Sequence, residues 1–273
     1  MKILGLTGKK GSGKNTCANY LFGTVMVNLG LCESMTINKT GQLVVPFQKE
    51  EGGEIEDIIV DPLSSNLETQ RFFEESVWPW CKIYSFADPL KAICCQILGL
   101  SPKQCYGDND DKNTFTKYQW QDMPHVVPKD FEDKWGNVAD DYGLNVKDSG
   151  QMTAREIMQY VGTEIFRKMN SDIWVNATVN RIQKEEPQLA IICDIRFPNE
   201  VEAIQKADGK VIKLLRNPNK DNDQHESEKV LDDKKDDYFD AIIDNTHSNI
   251  DKNNEQVKDV LISWDWGQLT EDN

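Results

Sequence analysis

The run Gly8-Lys9-Lys10-Gly11-Ser12-Gly13-Lys14-Asn15-Thr16 has the residue types and spacing to wrap a polyphosphate. Glycines let successive backbone N–H groups turn inward toward anionic oxygens, and a helix starting near Lys14 adds the positive end of its dipole. Gly11, Ser12 and Gly13 supply the cradle, and Lys14 supplies a mobile positive charge. The usual form of this phosphate-binding P-loop (Walker A) carries Ser or Thr directly after its lysine to reach Mg²⁺. Here Asn15 takes that place and Thr16 comes one residue later. A glycine-rich corner with no ligand is the plainer alternative, and the flanking residues decide against it. The apolar run Ile3-Leu4-Gly5-Leu6 predicts a strand before the loop, and Ala18, Leu21, Phe22, Val25 and Leu29 predict a helix after it.

Three further groups could do chemistry. Leu189-Ala190-Ile191-Ile192-Cys193-Asp194-Ile195-Arg196 reads as a buried strand ending in a carboxylate and a guanidinium. Carboxyl ends of parallel strands face the ligand crevice, so Asp194 suits Mg²⁺ or its water shell and Arg196 suits phosphate, with a strand-end ion pair as the alternative. Ser85-Phe86-Ala87-Asp88-Pro89-Leu90-Lys91 closes another strand and opens a helix. Lys91 falls in the first turn, where a cation opposes the helix dipole and an anion partner would explain it. Trp174 follows Ser171-Asp172-Ile173 at a helix start, where it reads either as core or as a surface for a base. His225 sits in a charged stretch that reads as solvated loop, and a lid over the crevice falls in the same region, 217–231.

The elements that must position these groups are legible as alternating strands and helices. Strands are predicted at Lys2 to Thr7, Lys82 to Ala87, Gln188 to Asp194, Lys210 to Arg216 and Phe239 to Asp244. Helical patterns between them predict an α/β fold, a five-stranded parallel sheet with helices on both faces, within one domain spanning 1–273. Two stretches break the pattern. Residues 33–80 read as a hairpin-like insertion without helical periodicity, and 107–150 as a second insertion on the substrate side, rich in Asp, Lys, Gly and Pro. Thr153-Ala154-Arg155-Glu156 is a capping box opening a helix with Ile157, Met158, Val161 and Ile165 on its buried side. Arg155, Gln159, Gly162 and Thr163 then share another face, and Gly162 points either to close helix packing or to a ligand near the backbone. Pro198 opens a later helix and Gly209 closes it.

Thirty-one Lys and Arg against 46 Asp and Glu give a net charge of −15 over 273 residues. Such a balance argues against nucleic acid as the main partner and for a local basic pocket around a small anion. The hydrophobic content of 38% fills a real core, which excludes a disordered chain. Seven cysteines without a C-x-x-C pair read as reduced thiols of the cytoplasm, with no disulfide framework and no zinc site. The chain opens directly into a strand and has no apolar run approaching membrane-spanning length, so no membrane partner is expected.

The order of these motifs resembles the deoxynucleoside monophosphate kinases of tailed bacteriophages. The likeness rests on Gly8 through Thr16, Phe86 through Lys91, Arg155 through Gly162-Thr163 to Asp172-Ile173-Trp174-Val175, Asp194 through Glu200 to Gly209-Lys210-Val211-Ile212, and His225-Glu226-Ser227-Glu228. The placing of Asn15-Thr16 is also more similar to loops of small-molecule nucleotide kinases than to those of GTPases. The resemblance implies a P-loop NTPase fold of the nucleoside monophosphate kinase type, with ATP and Mg²⁺ on the first loop. A deoxynucleoside monophosphate (dNMP) would occupy the acceptor site, and its product would serve phage DNA precursor synthesis in the host cytoplasm. By matching positions, Lys10, Lys91, Arg155, Gly162, Thr163, Trp174, Asp194, Arg196 and Glu200 would line that acceptor site. Lys14, Arg155, Asp194 and Arg196 would be catalytic, and Thr16 and Asp194 would meet the metal, directly or through water. A homodimer is a weaker implication. Dephospho-coenzyme A kinases share an opening similar to Ile3-Leu4-Gly5-Leu6-Thr7-Gly8 but carry Ser-Thr after the lysine and lack the block from Asp194 to Glu200. A nucleotide-binding module without turnover is the rival from outside enzymes.

Overall fold

All five residues from Ile3 to Thr7 are buried, the pattern of a strand covered on both faces. This strand, β1 (Lys2–Gly8), is central in a parallel sheet with β5 (Cys81–Tyr84), β10 (Leu189–Ile195), β11 (Lys210–Leu214) and β12 (Ala241–Ile243), strands being numbered in chain order. The sheet order is β12-β11-β1-β10-β5, and every neighbouring pair is parallel. The predicted five-stranded sheet with flanking helices is therefore present. The computed structural model describes residues 1–48, 54–64, 66–129, 138–217, 230–231 and 234–267. The predicted lid, 217–231, lies outside them except for Asn217, Val230 and Leu231, and the block from His225 to Glu228 lies wholly outside.

Two compact units make up the chain, one of Met1–Phe86 with Val175–Asn273, the other of Ala87–Trp174. In the first, the period of two along a strand sends alternate side chains into two separate cores. Leu4, Leu6, Leu189, Ile191 and Cys193 pack with Leu21 and Phe22 of the helix Lys14–Asn28. Ile3, Ala190, Ile192 and Val211 pack with Ile182 of the helix Ile173–Glu185 and with Val201 and Ile204 of Pro198–Lys206. Both layers of helices thus bury β1 and β10, which anchors the loops at their carboxyl ends.

The helix Lys14–Asn28 is buried on more sides than its apolar stripe predicts, with Cys17, Gly23, Thr24 and Met26 also enclosed. Its outer side is covered by β2 (Thr36–Ile37), β3 (Leu43–Gln48) and β4 (Ile55–Val60), which form an antiparallel sheet. Leu43 and Val45 of that sheet join the helix in one core. Region 33–80 also contains the helix Leu67–Ser76, which its polar sequence hides. Asn66 caps it by accepting from the N–H groups of Glu68 and Thr69, and Phe73 is its one buried side chain, edge-on to Phe22 at 5.2 Å.

In the second unit, the short helices Asp88–Gln96, Pro102–Tyr106 and Asn109–Lys112 precede β6 (Phe115–Gln119), β7 (Val126–Pro128), β8 (Asn145–Lys147) and β9 (Gln151–Thr153). β6 pairs antiparallel with β9, and β7 pairs parallel with β8. The predicted capping box forms: Thr153 Oγ1 accepts from the Glu156 N–H, and Glu156 Oε2 accepts from the Thr153 N–H at 2.8 Å. The helix Ala154–Tyr160 buries Ile157 and Tyr160 and continues as a π-helix over Val161–Arg167. Wider turns change the phase at which side chains follow one another along this stretch.

Candidate functional site

The loop after β1 has the geometry of an anion cradle. Gly8, Gly11 and Gly13 hold φ of 141°, 79° and 106°, a backbone region that side chains disfavour. A β-carbon on Gly8 would also lie 2.5 Å from the Leu214 carbonyl oxygen, so only glycine fits between the loop and β11. Gly13 caps the helix Lys14–Asn28 without a side-chain acceptor, and the first turn has no acidic residue. The helix N-terminus is therefore not satisfied by a side-chain cap of its own. Lys14 Nζ folds back on the loop, donating to the carbonyls of Gly8 at 2.6 Å and Lys9 at 2.9 Å. Ser12 is fully buried, and its hydroxyl finds no hydrogen-bond partner among the described residues. A buried hydroxyl without a partner costs about 1–3 kcal/mol, and a phosphate oxygen would recover that cost.

Beneath the loop, a network unseen in the sequence fixes its shape. Asn245 is 1% exposed; its Nδ2 donates to the Ser12 carbonyl at 2.8 Å and to Asn253 Oδ1 at 2.7 Å. Its Oδ1 accepts from the Arg216 N–H at 2.9 Å. Asn253 Nδ2 then donates to Cys17 Sγ at 2.9 Å, and burial pushes that thiol up to about 12, so it stays protonated and inert. One carboxamide thereby joins the loop to the ends of β11 and β12 and to the helix Ile250–Ser263. Asn245→Ala should cost about 2–3 kcal/mol in chemical denaturation, since it orphans the Ser12 carbonyl and the Arg216 N–H. It should also raise the KM for the nucleotide more than it lowers kcat.

Arg196 emerges beside this loop. Thr7 and Ile195 are register partners in β1 and β10, and Thr7 Oγ1 donates to the Ile195 carbonyl at 3.0 Å. Gly8 and Arg196, at the end of β1 and just after β10, thus lie on adjacent parallel strands at the carboxyl end of the sheet. Arg196 is exposed, whereas Glu200 is 2% exposed and turned inward. Glu200 Oε2 accepts from the N–H groups of Arg196 at 2.7 Å and Phe197 at 3.0 Å. These contacts make Glu200 a positioning residue for the Arg196 turn, whereas the resemblance implies that it lines the acceptor site. Glu200→Ala should cost about 2–4 kcal/mol, because it leaves two amides of that turn unsatisfied. Thermal melts beside kinetics would show stability and turnover falling together.

Asp194 ties β10 to the end of β5. Its Oδ2 accepts from Ser85 Oγ at 2.5 Å and its Oδ1 from the Phe86 N–H at 3.0 Å. That bonding explains why β5 stops at Tyr84, where the sequence predicts continuation to Ala87. A carboxylate at the carboxyl end of a parallel strand would suit the water shell of Mg²⁺. Thr16 differs from its expected role: a β-carbon on Gly41 would overlap Thr16 Oγ1, so this hydroxyl runs against the turn between β2 and β3. Asn15 and Lys10 are exposed.

The remaining residues that the resemblance assigns to the acceptor site lie in the second unit. Lys91 Nζ is 3.5 Å from Asp88 and 5.0 Å from the centre of the Tyr106 ring. Arg155 donates from Nε to Asn113 Oδ1 at 3.0 Å and from Nη2 to Asn109 Oδ1 at 2.9 Å. Gly162 is buried against Leu90, whose Cδ2 would lie 2.7 Å from an added β-carbon, and Thr163 is exposed. Close packing thus accounts for the glycine. Trp174 is 4% exposed, 5.1 Å from the Phe166 ring, and donates its Nε1–H to the Gly162 carbonyl at 3.2 Å. Stacking on a base would require it to leave these partners.

Comparison with known proteins places the chain in a family. A profile of the deoxynucleotide monophosphate kinase family matches residues 110–256, which include Arg155, Trp174, Asp194, Arg196 and Glu200 but not the phosphate loop. The deoxynucleoside-5'-monophosphate kinase of Escherichia phage T5 is 30% identical over 154 residues, covering 47% of this chain and 61% of that protein. A protein of Acanthamoeba polyphaga mimivirus, provisionally named as a deoxynucleotide monophosphate kinase, is 26% identical over 243 residues, covering 85% of this chain and 82% of its own length. The family match takes in more than half of the sequence, and the chain belongs to the deoxynucleotide monophosphate kinase family.

Proposed function

We propose that this protein transfers the γ-phosphoryl group of ATP to the 5′-phosphate of a dNMP, giving ADP and dNDP, on a nucleoside monophosphate kinase-like P-loop fold. The observation that carries the reading is the loop Gly8–Lys14, with its buried, unpartnered Ser12 hydroxyl, placed one strand from Arg196. A phosphate monoester has a second pKa near about 6, so its attacking oxygen is already ionised at neutral pH and needs no general base. Catalysis then reduces to holding two polyanions and neutralising charge that spreads over the transferring group. Loop amides and Lys14 hold the donor phosphates, and Arg196 meets the transferring group. Lys91 and Arg155 bind the acceptor phosphate. Mg²⁺ brought in with ATP would neutralise charge on the phosphates, and Asp194 would suit its water shell better than Thr16 does.

ADP release, measured with every ribo- and deoxynucleoside monophosphate and with dephospho-coenzyme A, tests the assignment. Turnover with deoxynucleoside monophosphates supports it. Turnover only with dephospho-coenzyme A, or tight ATP binding without transfer to any acceptor, would replace it.

A further inference from the structure

Three segments of the second unit each contribute a cation, and two of these cations lie near enough to repel the third. Lys91 comes from the helix Asp88–Gln96, Lys112 ends the helix Asn109–Lys112, and Arg155 lies in the helix Ala154–Tyr160. Asn109 and Asn113, the two residues that grip the Arg155 guanidinium, flank Lys112 in sequence. Both grips are neutral carboxamides, so they orient Arg155 without cancelling its charge, and only two of its five N–H donors are used. The nearby carboxylates have partners of their own, one of them within the cluster. Asp111 pairs with Lys103 at 3.0 Å, Asp108 caps its own helix by accepting from the Asp111 N–H at 2.9 Å, and Asp88 faces Lys91.

Lys112 is half-buried in this setting. Its ammonium is held below its ordinary range by burial first, then by repulsion from Lys91 and Arg155, with Asp108 and Asp111 opposing. A dianion placed among the three would relieve both the repulsion and the desolvation.

We propose that Lys112 is an acceptor-binding residue, forming with Lys91 and Arg155 a three-cation site for the 5′-phosphate of the nucleoside monophosphate. This inference rests on the kinase reading and adds a residue that the motif pattern does not single out. Lys112 sits in a stretch crowded with ordinary surface charges, Asp108, Asp110, Asp111 and Lys117 among them. Only the fold separates it from them.

Calorimetric titration of the full chain with dAMP, dCMP, dGMP and dTMP, without ATP, provides the test. Lys112→Gln should weaken the best-bound monophosphate by about 10-fold, while Lys112→Arg stays within about 3-fold of the parent. Affinity for ATP should not change, and the matching deoxynucleoside, which lacks the phosphate, should bind parent and K112Q alike. Equal monophosphate binding by the parent and K112Q would overturn the role of Lys112 alone. A parent protein that binds ATP but none of the four monophosphates would overturn the acceptor reading, and the three-cation site with it.

Discussion

Lys14→Ala lowers kcat by about 10³-fold and leaves the fold intact. Losing one preorganised donor to a developing anion costs about 10²- to 10³-fold, and Lys14 also carries a full positive charge in a half-buried loop. Its ammonium rests on the Gly8 and Lys9 carbonyls, partners that the alanine variant leaves to other donors or to water. Stability should therefore move by no more than about 1–2 kcal/mol. Steady-state rates from coupled ADP detection, read beside thermal melts, separate a lost charge from a lost fold. Rates within a few-fold of the parent would show that Lys14 does not meet the transferring phosphates.

Arg196→Ala should lower kcat/KM by about 10³-fold, with losses in both kcat and acceptor affinity. Its exposed side chain adds little to packing, so melting should stay near that of the parent. Arg196→Lys should recover only part of the loss, because an ammonium cannot make the paired contacts of a guanidinium. The contrast with Glu200→Ala is diagnostic, since Glu200 acts through the backbone amides of Arg196 and Phe197 and its loss must appear in stability as well. An R196A variant that melts early but retains its rate would reverse the two assignments.

Much of this architecture is written in local pattern. The five strands stand out because the central ones are covered on both faces, leaving unbroken apolar runs such as Leu189 to Ile192. The capping box at Thr153 and the proline opening of the helix at Pro198 are similarly local, each set by residues within one turn. What escaped depends on contacts distant in sequence. β5 ends at Tyr84 because Asp194, more than a hundred residues later, accepts from Ser85 and Phe86. The helix Leu67–Ser76 shows too little apolar periodicity to be found, since Phe73 is its one buried side chain. The π-helix over Val161–Arg167 leaves no mark in composition, yet it alters the turn-by-turn phase of the side chains along it.

The site divides along the same line. The phosphate loop is legible because glycine spacing and the lysine belong to one short segment. Asn245, which holds the Ser12 carbonyl, is a single asparagine after a short strand, distinguished only by the three partners that the fold brings to it. Glu200 and Trp174 belong to recognisable motifs, yet their side chains are spent on the Arg196 turn and on the Gly162 carbonyl. A motif names residues that matter together; the hydrogen bonds show which of them can face a ligand.

The central claim is phosphoryl transfer between two nucleotides, and following the label from [γ-³²P]ATP in the presence of each dNMP tests it most directly. The account predicts label in the β-phosphate of dNDP, in step with ADP formed and lost in Lys14→Ala. ADP accompanied by labelled inorganic phosphate, with no labelled dNDP from any of the four acceptors, would contradict it.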